Sequence, residues 1–395
     1  MKYGFVILNL FVVITCYELK QVLILSRHTI RSPVMDSFDE YLPLPWPKWN
    51  ISLGYSTKKG ALIEEYLGEY MYKWLVREKL LNIGCPDESS VFIYANTLQR
   101  TRESAKSFVR GAFKNCNISV FSIDSKEMDP LFNPVIRNDS EVVKEPIIKE
   151  MKKKLMDLDL RRSYFELEEV LDIKNLGKCK LEGQCRFDVT ENEIYYKLGE
   201  MPLVIGPLSF AHMIVDSFLM SYYDGHAMEN VAWGRIKNEE QWIILAQLMR
   251  ESQNVIYNST LLGRQLAKPL LEYLTSAFDE ENPPKFTLLD GHDANLYSVL
   301  AAFGVKEFWL PEQYESIPIA GKLVFQKLYD RIEKRYLLKL DFVYLTVDQI
   351  RSGSKISTKN PPRWVPLKIK ECAIDSNGYC SWEKFIKVLK NVSGD

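Results

Sequence analysis

The run SRHTIRSP, Ser26 to Pro33, places His28 directly after Arg27 and three residues before Arg31. Such spacing sets a neutral nucleophile among guanidinium groups. A guanidinium stays charged at any working pH and its fork donates hydrogen bonds to two oxygens at once, which suits phosphate. Arg100, in QRTRES, and the triplet GHD, Gly291 to Asp293, form two further clusters of chemically active side chains. The chain has only four histidines, and His28 and His292 both belong to these clusters. Of the others, His212 lies on the apolar helical pattern FAHMIV and reads as a packed core side chain. His226, in YYDGHAM, reads as a surface loop residue, with a rim or substrate contact as its alternative.

Each cluster follows a run that reads as a buried strand. QVLILS (21–26) precedes the first, VFIYA (91–95) the second and FTLLDG (286–291) the third; all are short, apolar and rich in branched or aromatic residues. A helix is expected over about 98–113, where Ala105, Phe108 and Val109 share a face, and another over NLYSVLAAFG, with Gly304 as its cap. Strands running into helices imply parallel βα units, and ligands of open α/β sheets bind beyond the carboxyl ends of the strands. Arg27, His28, Arg31, Arg100, His292 and Asp293 are thus expected to meet at one site. KLVFQKLY and YLLKLDFVYLTV read as later strands. The fold class expected is α/β, a central, mainly parallel sheet flanked by helices. Residues 17–123 and 253–395 would form this domain, and 124–252 a mainly helical insertion over one end of the sheet.

The 395 residues carry a net charge of -1, which gives no global attraction to nucleic acid, so an anionic ligand must be drawn by local charge. Residues 1–16 read as a signal peptide, Lys2 followed by an apolar stretch too short to span a bilayer, with cleavage near Cys16 or Tyr17. The product would be secreted or periplasmic, without stable membrane association. Beyond Cys16, the six cysteines Cys85, Cys116, Cys179, Cys185, Cys372 and Cys380 fall in neighbouring twos. Their even number favours disulfides over metal ligation, although sequence alone does not fix the pairing. Sequons stand at Asn50, Asn117, Asn138, Asn258 and Asn391.

RHTIRSP is similar to the R-H-G-x-R-x-P signature of the histidine acid phosphatases, and GHD to their H-D motif. WPKW, STKKGALIEEYLGEYM, YANTLQRT, DPLFNPVI, VAWGRIKNEEQW, GHDAN, IPIAGKLVFQ and AIDSNGY extend the resemblance nearly end to end. Within that family they are most like the bacterial periplasmic glucose-1-phosphatases and related phytases. The resemblance implies that His28 attacks phosphorus and becomes a phosphohistidine. Arg27, Arg31 and Arg100 would hold the non-bridging oxygens, with His292 touching the same phosphate. Asp293 would protonate the leaving oxygen and then assist water. No cofactor or metal is implied, and the partner is a small phosphorylated substrate. The family's disulfides would pair Cys85 with Cys116, Cys179 with Cys185 and Cys372 with Cys380.

Two departures bear on specificity. Thr29 replaces the signature's glycine and is expected to narrow the phosphate pocket or alter specificity. Met201 precedes Pro202 where the glucose-1-phosphatases carry a glutamate, and Glu200 stands one place earlier. The function expected is a secreted acid phosphomonoesterase acting on sugar phosphates such as glucose 1-phosphate, with phytate as a further substrate to test. A broad phytase is the alternative within the class; a non-catalytic secreted binder of phosphorylated ligands is the alternative outside it.

Overall fold

The computed structural model describes residues 17–35, 45–175, 186–187 and 191–394. The expected signal peptide, Cys179 and Cys185 lie outside the described residues.

The chain opens with β1 (Tyr17–Arg27), α1 (Lys58–Arg77), β2 (Val91–Ala95) and α2 (Gln99–Ala112). There follow α3 (Glu141–Asp157), α4 (Arg161–Leu171), the hairpin strands β3 (Glu193–Tyr195) and β4 (Leu203–Ile205), α5 (Pro207–Asp224) and α6 (Glu239–Tyr257). The last part holds α7 (Thr260–Asp279), β5 (Phe286–Gly291), α8 (Asp293–Ala302), β6 (Lys322–Asp330) and β7 (Arg335–Tyr344). It closes with α9 (Val347–Ser352), β8 (Arg363–Pro366), β9 (Cys380–Ser381) and α10 (Trp382–Ser393).

The main sheet runs β2-β5-β1-β6-β7-β8, with β9 also beside β7. The three strands that carry the clusters are parallel neighbours, as their continuous apolar runs require. The other half is antiparallel, so the sheet is mixed rather than mainly parallel. The reason is local: only residues 331–334 join β6 to β7, and so short a link makes a hairpin, never a crossover.

Alternate residues of β1 feed two cores. Leu23 and Leu25 pack with α7, α8 and α10, whereas Val22 and Ile24 pack with α1 and α2. Helices α1 and α2 touch closely because Gly111 has no side chain; a Cβ there would lie 1.9 Å from the Glu65 carbonyl oxygen. The third core joins α3 to α6 with Ile30, Ile63 and Leu67, which keeps this helical layer over the end of β1. The boundary expected at residue 252 falls inside α6, which continues to Tyr257 before a break at Asn258 and Ser259.

Behind the end of β1 lies a buried charge network. Lys322 Nζ donates to Glu64 Oε1 (2.6 Å) and Ser26 Oγ (2.8 Å), and both charged side chains are fully buried. The Asp290 carboxyl lies beside them with no hydrogen bond among the described residues, and burial, reinforced by Glu64, pushes it well above the usual range. Removing one member strands its partner in low dielectric. Lys322→Met is therefore expected to cost about 3–5 kcal/mol in chemical denaturation, and adding Glu64→Leu should restore most of it. A double variant no more stable than the single would refute this coupling.

Among the described residues two disulfides are present, Cys85–Cys116 and Cys372–Cys380. All five sequon asparagines are exposed. Among the described residues no helix is long and apolar enough to cross a membrane.

Candidate active site

The parallel order of β1, β5 and β2 brings the three sequence clusters to one edge. β1 ends at Arg27, and the next backbone is held from both sides: His28 N donates to the Gly291 carbonyl (3.0 Å), and Ala320 N donates to the His28 carbonyl (3.0 Å). The His28 ring is anchored as well. Its Nδ1 lies 2.9 Å from the Thr29 carbonyl oxygen, which can only accept, so Nδ1 carries the proton and Nε2 keeps its lone pair. Burial first, then electrostatic interaction with Arg100, His292, Arg27 and Arg31, holds its pKa well below the ordinary histidine range.

Three guanidinium groups surround this ring. Arg27 is almost wholly buried and donates from Nη1 to Glu315 Oε1 (2.7 Å) and the Ile317 carbonyl (2.5 Å), with Nη2 3.4 Å from Asp293 Oδ2. Arg31 is clamped on Asp216 at 3.0 and 3.1 Å. Arg100, in the first turn of α2, makes one weak side-chain hydrogen bond among the described residues, Nη1 to the Gly54 carbonyl at 3.5 Å. Burial and the neighbouring Arg31 push it down to about 10. The Nε donors of all three arginines are buried without an acceptor among the described residues. Unmatched cationic donors converging on one imidazole form a seat for an anion.

His292 and Asp293 complete the rim at the start of α8. Asn96 Oδ1 accepts from the backbone N–H groups of Thr97 and Asp129, so its amide nitrogen faces His292 Nε2 (2.8 Å) and donates to it. The neutral ring therefore carries its proton on Nδ1. Burial and Arg100 press the pKa of His292 down to about 3. The His28 and His292 rings meet edge to face, centroids 5.4 Å apart. Asp293 Oδ1 accepts from Ala294 N (2.8 Å), and Oδ2 accepts from Gln253 Nε2 (3.0 Å). Burial acts to raise the Asp293 pKa, but Arg27, His292 and that backbone N–H outweigh it and hold it low.

Other expected positions behave differently. Thr29 is wholly buried, its hydroxyl donating to the Gly60 carbonyl (3.0 Å) and its backbone N–H to Ser104 Oγ. Its side chain turns into the first turn of α1, away from the anion seat, so the expected narrowing of the pocket does not follow from this placement. Gly60 makes room for it: a Cβ at that position would lie 2.7 Å from the Ile30 carbonyl oxygen. Glu200 and Met201 lie in the turn of the β3–β4 hairpin. Glu200 bonds Tyr195 and Lys197, and among the described residues it has no hydrogen bond or ion pair to the arginine cluster. His212 is half-buried rather than fully buried. It lies one helical turn before Asp216, with Nδ1 3.0 Å from Ser252 Oγ. His226 is partly buried, its ring tilted 40° against that of Trp49 with centroids 4.5 Å apart, and its Nε2 lies 3.4 Å from Asp224 Oδ2.

Sequence reasoning missed Asn96, Asp216, Gln253 and Glu315. Asp216 had left a signal, because a single acid within FAHMIVDSFLM needs a charged partner once that helix is buried. Gln253 positions Asp293, and its own Oε1 accepts from Tyr297 (3.1 Å). Gln253→Leu is expected to lower kcat roughly tenfold on alkyl phosphates while altering KM little. An unchanged kcat would rule this role out. Among the described residues no group of three or more His, Cys, Asp or Glu could hold a metal ion.

A parallel sheet edge carrying an anchored histidine, three guanidinium groups and a carboxylate defines a hydrolase of phosphate esters. Residues 18–163 match the histidine phosphatase superfamily (branch 2). The chain is 38% identical over 379 residues to the glucose-1-phosphatase of Providencia rettgeri, covering 94% of this chain and 91% of that one. Against phytase AppA of Escherichia coli the identity is 28%, covering 94% and 91%. The phytase structure from Citrobacter braakii superposes with a TM-score of 0.88 at 28% identity, covering 95% and 98%. The chain belongs to the histidine phosphatase superfamily, and it is a histidine acid phosphatase.

Proposed function

We propose that this chain is a secreted acid phosphomonoesterase that hydrolyses sugar phosphates such as glucose 1-phosphate through a phosphohistidine intermediate. The observation that carries the reading is His28: Nδ1 is fixed on a carbonyl, and Nε2 is the free lone pair among three guanidinium groups. The monoester phosphate sits on Arg27, Arg31, Arg100 and His292, with Nε2 in line with the leaving oxygen. Phosphoryl transfer needs positioning and charge neutralisation above all, which fixed guanidinium groups supply. Nε2 bonds phosphorus while the P–O bond to the alcohol breaks, and Asp293 delivers the proton to that oxygen. Asp293, now a carboxylate, takes a proton from water as its oxygen attacks the phosphohistidine, which frees His28 and inorganic phosphate.

Greater identity to a glucose-1-phosphatase than to a phytase favours the sugar phosphate. The two disulfides support an oxidising compartment, and with it secretion. Residues 124–252 serve in this reading as the helical roof of the pocket. Initial rates on glucose 1-phosphate, phytate and p-nitrophenyl phosphate test the proposal: the sugar phosphate should be preferred to phytate. A rate on phytate about tenfold above that on glucose 1-phosphate would overturn the substrate class in favour of a phytase. Absence of turnover on all three from mildly acidic to neutral pH would leave only a binder.

A further inference from the structure

Resting on the sugar-phosphate reading, we infer that His212 is a specificity-determining residue that hydrogen-bonds a hydroxyl group of the leaving alcohol. Helix α5 presents His212 and Asp216 four residues apart, hence on one face, and Asp216 grips Arg31 at the anion seat. From α6, Ser252 Oγ holds His212 Nδ1, and the next residue, Gln253, donates to Asp293 Oδ2. His212 thus shares its support with the group that protonates the leaving oxygen, and it feels the charges of Asp216, Asp293, Arg27 and Arg31. It is therefore next to the phosphate seat, on the side of Asp293.

Two features separate it from a satisfied structural histidine. The side chain is partly exposed, whereas Ala211, Ile214 and Val215 beside it are fully buried. Its Nε2 makes no hydrogen bond among the described residues, although Nδ1 is fixed. Ser252 sets the ring plane, and Nε2 is the atom left for a ligand. The phosphate is already provided for by three guanidinium groups, so a neutral imidazole beyond them suits a hydroxyl, which both donates and accepts. A cation in that place would select a second phosphate instead.

The test compares glucose 1-phosphate with cyclohexyl phosphate, which has the same ring size and an alkoxide leaving group but no further hydroxyl. His212→Ala is expected to lower kcat/KM roughly tenfold on glucose 1-phosphate and to leave cyclohexyl phosphate within about twofold. His212→Gln, whose amide reaches the place of Nε2, should recover most of the loss. His212→Leu keeps the volume and carries the same expectation as alanine should the smaller side chain prevent folding. Equal losses on both substrates, or none on glucose 1-phosphate, would overturn the inference. If the wild-type enzyme does not prefer glucose 1-phosphate to cyclohexyl phosphate, the sugar-phosphate reading itself fails, and this inference with it.

Discussion

His28→Ala is expected to lower kcat by about 10⁴-fold or more on every phosphomonoester, with no leaving group spared. The substitution removes the imidazole lone pair that the arginine cluster surrounds, and His292 cannot replace it, because its Nε2 already accepts from Asn96. Arg27, Arg31 and Arg100 keep their supports on Glu315, Asp216 and Gly54, so inorganic phosphate should still inhibit, within about tenfold of the wild-type constant. Rapid acid or base quenching with radiolabelled substrate should trap phosphoenzyme in the wild type and none in the variant. Residual turnover within tenfold of wild type would show that His28 is not the nucleophile.

The same side chain ties activity in acid to a cost in stability. Because burial and four cationic or ionisable neighbours depress the pKa of His28, the folded ring stays neutral and nucleophilic well below pH 6.5. An unfolded chain binds that proton near pH 6.5. As pH falls through that value, the unfolded state gains protons that the folded state refuses, and stability declines. His292 and His212 are depressed in the same sense. Wild-type Tm should therefore drop more between pH 7 and pH 4.5 than that of His28→Ala. Identical slopes would argue against a depressed pKa.

The sequence was legible where one local signal fixed the outcome. VFIYA and FTLLDG form β2 and β5 with the bounds expected, because a short apolar run between polar segments has one place to go in a parallel sheet. RHTIR and GHD could be read because their residues are chemically rare and adjacent in the chain. The supports of the site could not be read in this way. Glu315 reaches Arg27 across 288 residues, Asp216 reaches Arg31 across 185, and Gln253 meets Asp293 from another helix. Apart from the lone acid of FAHMIVDSFLM, which asks for a charged partner without naming it, nothing local in the sequence marks such partners. His212 shows how periodicity misleads: the FAHMIV pattern describes the fully buried Ala211, Ile214 and Val215, whereas His212 itself is only half-buried and is held by Ser252 from α6. Thr29 shows the converse, since adjacency to His28 did not mean that its side chain shares the anion seat.

Asp293→Asn is expected to separate substrates by leaving group. In the free site the carboxyl is held low by Arg27, His292 and the Ala294 N–H, so it is ionised across the working range. A phosphate settling on Arg27, Arg31 and Arg100 cancels that cationic field, and burial, which alone would raise the pKa, then dominates. In the proposed reaction the substrate itself would thus bring Asp293 to the protonated state that an acid needs. An asparagine keeps the shape but holds no transferable proton. An alkoxide must be protonated as it leaves, so kcat on glucose 1-phosphate should fall about 10²–10³-fold. Nitrophenolate leaves unaided, so transfer from p-nitrophenyl phosphate to His28 should slow by tenfold at most. Attack of water on the phosphohistidine still lacks its base, so the variant should release a burst of nitrophenol followed by a slow steady state. Equal losses on both substrates, with no burst, would remove Asp293 from the acid role and leave it only the positioning of Arg27.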